Sequence, residues 1–350
     1  MLSNKRILIC PLNWGLGHAT RCIPIIHLLL QQGATVIIAA DGPGKTLLKN
    51  EFPQIDNISF KGANITYGAG KNKLLEMLLT LITFLKSIKK EHAILQKIVR
   101  KNKIDVVISD NRYGAWSPKT KNIFITHQLM LKAPFFENIL HQQLQKQMAP
   151  FDEIWVPDNE GKENLSGDLS HKYPIDNNTF FVGPLSRFNP SSPQEKQYDI
   201  AVIISGPEPQ RSIFEQLMLQ QLKNYDGNCI MVCGKPKSKN RNLKGAVEIH
   251  DHLNSKDLQK VIEQSDLVIA RSGYSTIMDL AALGKKAIFV PTPGQTEQEY
   301  LAHKLQQEGA AYYQHQDVFD LKKALAQSKI YSGFKTLSAS KNLATKIAAL

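Results

Sequence analysis

His18 stands directly after the turn Asn13-Trp14-Gly15-Leu16-Gly17. An imidazole, with an ordinary pKa of about 6.5, can take a proton from a hydroxyl near neutral pH. Glycines in such a turn let a ligand approach the backbone, and a helix starting there offers unpaired N–H groups and the positive end of its dipole to an anion. Asp110, in Ser109-Asp110-Asn111-Arg112, is a carboxylate that could orient and charge-stabilise His18. A strand-end residue capping a turn accounts for Asp110 equally well.

A second cluster lies far along the chain in Arg271-Ser272-Gly273-Tyr274-Ser275-Thr276-Ile277-Met278-Asp279. Ser272, Gly273, Ser275 and Thr276 can supply hydroxyl and backbone N–H donors to a diphosphate, and Asp279, one turn on, can accept from ribose hydroxyls. Helix capping explains Ser272 or Ser275 singly. It does not explain the cluster together with Pro291 to Glu299, where Gln295, Gln298 and neighbouring carboxylates suit sugar hydroxyls. No DxD motif occurs, and the ten histidines lack metal-ligand spacing such as HExxH, so no catalytic metal is expected. Gly15-x-Gly17 with Asp41 brings a dinucleotide site to mind, but Thr20 replaces the third glycine of that fingerprint.

These residues need elements to carry them. Short β-branched runs around helical spacing read as strand Arg6 to Pro11, helix His18 to Gln32 and strand Thr35 to Ala40, a βαβ unit. Strands follow at Ile104 to Ser109 and Asn122 to Thr126, with helices over Leu74 to Lys103 and Phe135 to Gln147. The alternation lapses at 183–198, GPLSRFNPSSPQEKQY, a stretch of linker composition. It resumes as strands near Asp199 to Ser205, Asn228 to Cys233, Ala246 to His250, Leu267 to Ala270 and Ala287 to Val290. Helices intervene at Ser212 to Leu222, Ser255 to Gln264 and Thr276 to Leu283. The expected class is α/β, two Rossmann-like doubly wound domains facing a central cleft. They span 1–185, joined by a C-terminal helix at about 335–350, and 190–334.

The charge is unevenly spread. The 350 residues carry a net +12, and 71–103 holds nine cations against Glu76 and Glu91, a local excess of seven. Leu74 to Leu85 is too short and interrupted to span a bilayer, which takes about 20 apolar residues. It suits either an interfacial helix beside anionic lipid or a helix buried on the sheet. The basic stretch lacks interleaved aromatics, which argues against a nucleic-acid partner. Cys10, Cys22, Cys229 and Cys233 form no CxxC pair and read as reduced core residues, and the N-terminus shows no secretory pattern, so a cytoplasmic location is expected.

The Gly15-Leu16-Gly17-His18 turn, the segment Arg271 to Asp279 and the loop Pro291 to Tyr300 together resemble the two-domain GT-B glycosyltransferases of the MurG-like group, over nearly the whole chain. The resemblance implies an inverting transfer of N-acetylglucosamine from a UDP donor to a hydroxyl acceptor, with a lipid-linked acceptor among the candidates. It implies that Ser272 to Thr276 and Gly17 face the diphosphate, Asp279 the ribose, Gln298 the sugar, and His252 and Leu253 the base. It places His127 and Gln128, within Thr126-His127-Gln128, with Asn13 and Arg112 on the acceptor side. The chain departs from the family in its glycine-poorer first loop, in Asp279 where glutamate is usual, and in Ser205-Gly206-Pro207-Glu208-Pro209-Gln210-Arg211. There two prolines remove N–H donors and Arg211 is expected to supply charge instead. Gly17 to Cys22 is also similar to the turn of a nucleotide-sugar hydrolase of the same architecture, so hydrolysis, or a non-catalytic binding subunit, stays an alternative.

Overall fold

The structure, a computed structural model, describes residues 2–62, 73–130, 137–192, 194–235, 247–337 and 341–350. The first half holds strands β1 (Arg6–Pro11), β2 (Thr35–Ala40), β3 (Asp56–Ser59), β4 (Val106–Asp110), β5 (Lys121–Ile125), β6 (Glu153–Val156) and β7 (Thr179–Phe181). Helices α1 (Gly17–Gln31), α2 (Gly42–Glu51), α3 (Lys73–Asn102), α4 (Glu137–Met148) and α5 (Asp168–His171) connect them. The second half holds β8 (Tyr198–Ile203), β9 (Cys229–Val232), β10 (Val247–His250), β11 (Ser265–Ala270), β12 (Lys286–Phe289) and β13 (Tyr312–Tyr313). Its helices are α6 (Gln210–Leu222), α7 (Ser255–Glu263), α8 (Tyr274–Ala282), α9 (Thr296–Gln307) and α10 (Leu321–Ser328), and α11 (Lys341–Ala348) ends the chain.

Every strand pair among the described residues is parallel. That suits runs such as Ile7 to Cys10 and Val106 to Ile108, which are buried on both faces. The sheet orders are β3-β2-β1-β4-β5-β6-β7 and β10-β9-β8-β11-β12-β13. In each, the chain order reverses beside the first strand, between β1 and β4 and between β8 and β11. Loops leaving the carboxyl ends of such a pair diverge and leave a crevice, where ligands of open α/β sheets bind. The pairing Pro11↔Asp110 puts the turn before His18 and the end of β4 at the same edge.

The two halves share one apolar cluster. Ile7, Ile23 and Ile26 belong to it, and so do Tyr274, Ile277 and Met278 of α8. The last helix returns to the first sheet, where Asn342 donates to the Phe181 carbonyl at 3.1 Å and Lys346 meets Glu153 at 3.1 Å. All four cysteines are buried and free. The far half of α3 packs Leu95, Ile98 and Val99 into a core with Leu8 and Val107, while Lys86, Lys89, Lys90, Lys97, Arg100, Lys101 and Lys103 face solvent. Most side chains of the run Leu74 to Leu85 lie outside the described residues, and so do Phe135, Phe136 and Ala246. No helix among the described residues is long and apolar enough to cross a membrane.

Candidate active site

His18 is the second residue of α1, and its ring nitrogen Nδ1 lies 2.8 Å from Oδ1 of Asp110. A carboxylate can only accept, so Nδ1 carries the proton and Nε2 keeps its lone pair. Nε2 has no protein partner among the described residues. Arg21, one turn further on α1, clasps both oxygens of Asp110 through Nε and Nη2. Its Nη2 also lies 2.9 Å from His18 Nδ1, but a guanidinium can only donate, and that nitrogen's proton is already committed to Asp110.

Arg21 donates its remaining Nη1 to Nδ1 of His127 at 3.1 Å, in the loop after β5. His127 Nε2 lies 2.8 Å from Glu297, in the first turn of α9, and Gln128 donates to the other oxygen of Glu297 at 2.6 Å. Burial raises the Asp110 carboxyl pKa, but Arg21 and His18 outweigh it and hold the group at about 2. Burial, and then Arg21, push the His18 pKa below 6.5 against the pull of Asp110. The His18 imidazole is therefore neutral at neutral pH and able to accept a proton.

The second sheet presents a helix start to this network. α8 begins after Gly273, in extended backbone with no side-chain cap, so the N–H groups of its first turn are unspent by capping. Ser275 donates its hydroxyl to the Gly17 carbonyl at 3.0 Å, which brings that helix start against the start of α1. A Cβ built at Gly206, Gly273 or Gly294 meets nothing within 4 Å. These glycines follow β8, β11 and β12, adjacent in the sheet, and each has open space where a side chain would stand.

Known proteins match both halves. Residues 210–346 match the glycosyltransferase family 28 C-terminal domain and residues 5–128 match glycosyl transferase family 1. An uncharacterized glycosyltransferase of Methanosarcina acetivorans is 27% identical over 87% of this chain and 84% of its own length. The UDP-N-acetylglucosamine--N-acetylmuramyl-(pentapeptide) pyrophosphoryl-undecaprenol N-acetylglucosamine transferase of Buchnera aphidicola is 24% identical over 91% of this chain and 87% of its own. The crystal structure of Acinetobacter baumannii MurG superposes with a TM-score of 0.57 at 15% identity, over 99% of this chain and all of that one. The chain is a glycosyltransferase of the GT-B fold.

The glycosyltransferase brings His18, Asp110, His127 and Gln128 into one network, with Gly17 and Ser275 at its rim. Other expected site residues are differently employed. Arg112 does not reach an acceptor face: it is buried, paired with Glu91 at 2.9 Å, bonded to the Phe60 carbonyl at 3.0 Å and stacked on the Phe60 ring. Arg211 does not offer its charge to a ligand, because Glu208 and Glu215 neutralise it and the Cys233 carbonyl takes another N–H. The Ser272 hydroxyl is buried and donates to the Gln298 carbonyl at 2.8 Å, which ties the two loops together. Asp279 is buried beside the inter-sheet linker, accepting from Ser186 at 2.8 Å and Arg187 at 3.3 Å.

Gln298 accepts from the Thr292 N–H at 2.9 Å and donates to Gln295 at 3.2 Å, shaping the loop after β12. Thr276 is half-buried in the first turn of α8. Ser205 and Gly206 leave β8, and His252 and Leu253 are half-buried in the loop after β10. The Asn13 amide lies over Gly42, so close that a Cβ there would stand 2.7 Å from it.

Three residues lie in the network although the sequence reading gave none of them a place beside His18. Arg21 shares the His18 face of α1 at i+3, a spacing that signals a neighbour. Tyr274 stacks on His127 with ring centroids 4.1 Å apart. Glu297 sits beside Gln298, but nothing local tells it from a solvated helix-start acid.

Proposed function

We propose that this glycosyltransferase transfers a sugar, N-acetylglucosamine, from a UDP donor to a hydroxyl acceptor with inversion at the anomeric carbon. His18 is the base. Its bare Nε2 takes the acceptor proton as the acceptor oxygen forms the new bond to the anomeric carbon, and the bond from that carbon to the diphosphate oxygen breaks with its electron pair. The carrying observation is the 2.8 Å contact of His18 Nδ1 with Asp110, which fixes the tautomer needed. UDP departs toward the uncapped start of α8, whose N–H groups and dipole stabilise the charge without a metal.

Asp279 takes the ribose by exchanging Ser186 and Arg187 for its hydroxyls, and His252 and Leu253 border the base. Asn13, His127 and Gln128 face the acceptor. The donor sugar rests on the likeness to the N-acetylglucosamine transferase of Buchnera aphidicola. A lipid-linked acceptor at the cytoplasmic face of a membrane is supported by the exposed cations of α3, whose buried Glu91 spends its charge on Arg112.

Steady-state transfer by His18→Ala in EDTA tests the reading. The variant should lose two to four orders of magnitude in kcat while binding UDP-sugar as the parent does, and the parent should keep its rate in the chelator. A variant with near-parental turnover overturns the assignment, and donor hydrolysis by the parent at full rate without acceptor replaces transfer by hydrolysis.

A further inference from the structure

We propose that Glu297, from the second half of the chain, is a positioning residue for the base: it sets the tautomer of His127, through it the Arg21 clasp on Asp110, and so the presentation of His18. The inference rests on the reading of His18 as the base. Glu297 touches none of the reacting atoms in this scheme.

From Glu297 through His127 to Arg21 the hydrogen-bond directions leave one consistent arrangement. Glu297 can only accept, so the nitrogen 2.8 Å away, His127 Nε2, carries the ring proton. His127 Nδ1 is then bare and accepts from Arg21 Nη1 at 3.1 Å. Arg21 turns its other N–H groups to Asp110, and Asp110 receives the Nδ1 proton of His18. The chain of bonds runs from one half to the other and ends on the bare Nε2 of His18.

The second half controls the middle of that chain from two sides. The His127 ring lies parallel to Tyr274, within 2°, so its plane is fixed and its tautomer is what remains free. Glu297 settles the tautomer, and is itself held by Gln128 and by its place in the first turn of α9, where the helix dipole favours an anion. Without the carboxylate, His127 can carry its proton on Nδ1, which takes away the acceptor that holds Arg21 Nη1 and loosens the Arg21 clasp on Asp110. These contacts join the two halves, so the alignment of the base draws on residues of both.

The titratable groups facing His18 are Asp110 at the end of β4, Arg21 on its own helix, His127 after β5 and Glu297 on α9. A displaced Arg21 relieves the repulsion that helps keep His18 neutral.

The test is the pH dependence of transfer by Glu297→Ala, Glu297→Gln and Gln128→Ala, beside His18→Ala. Glu297→Ala should lower kcat about tenfold, leave the donor KM within about twofold and move the acid limb of kcat/KM to higher pH. Glu297→Gln, which still accepts from His127, should restore both, and Gln128→Ala should fall between. The combined His127→Ala and Glu297→Ala variant should lose no more than the worse single one, since both break one chain. A parental kcat and acid limb in Glu297→Ala overturns the inference. So does a loss confined to KM, or additive losses in the double variant. If His18→Ala is inactive while Glu297→Ala is parental, this inference alone fails; an active His18→Ala removes the base reading beneath it. Should Glu297→Ala not fold, the limb in Gln128→Ala decides, and no shift there overturns the proposal.

Discussion

The hydroxyl of Ser275 donates to the carbonyl of Gly17 at 3.0 Å, and this bond joins the start of α8 to the start of α1, which carries His18. On the proposed reading, a diphosphate at the one and the base on the other face each other across a single gap.

The contact leaves no room for a larger residue. A Cβ at Gly17 would stand 2.9 Å from Ser275 Oγ and 3.3 Å from its Cβ. Gly17→Ala should therefore force the two helix starts apart and lower kcat/KM by roughly tenfold, since small displacements in a reacting geometry cost about that or more. Adding Ser275→Ala should recover part of the loss. Steady-state kinetics of the single and double variants check this, and a fully active Gly17→Ala would show that the contact carries no alignment.

The pH profile follows from the His18 and Asp110 shifts. His18 titrates below 6.5 in the folded chain, so its neutral form dominates at pH 6.5 and kcat/KM should fall only as pH drops further. Stability changes in the same direction. Between the ordinary value of 3.8 and the folded value of about 2, the unfolded chain binds the Asp110 proton and the folded chain does not, so acid removes about 2 kcal/mol over that window. His18 adds a loss as pH falls through 6.5 to its lowered value. Urea unfolding at stepped pH should show both; stability that is flat from pH 7 to pH 2 would contradict them.

Arg112 serves the core, and its removal from the acceptor face is testable. Glu91→Ala would leave the guanidinium buried without its counter-charge and should cost about 3–5 kcal/mol of stability. The donor KM, measured well below the lowered melting temperature, should stay within about twofold. A variant of normal stability with impaired acceptor kinetics would return Arg112 to the site.

The exposed cations of α3 should bind anionic vesicles at low salt. Replacing Lys86, Lys89, Lys90 and Lys97 by glutamine should lower the bound fraction, at about 1 kcal/mol for each cation near the surface. Flotation with phosphatidylserine vesicles measures it, and equal flotation of the variant would place any attachment elsewhere.

The sequence alone determined the α/β alternation, because strand runs such as Ile7 to Cys10 and helical spacing such as that of α1 are local properties of the side chains. It also marked His18 and the Ser272 to Asp279 segment, since turn glycines and small polar residues at a helix start are read within a few positions. Short elements such as β3, β7 and α5 have too few residues for a period to show. What the tertiary structure decided is which charges meet. Arg21 and Arg112 each lie within three residues of His18 or Asp110, and of the two the sequence reading chose Arg112 for the site. One clasps Asp110 beside His18, and the other lies in the core with Glu91. Glu297 meets His127 across 170 residues, a distance at which no local pattern carries information. Partnership between buried charges depends on distance and desolvation, and both are set only when the sheets have formed and the two halves have closed on each other.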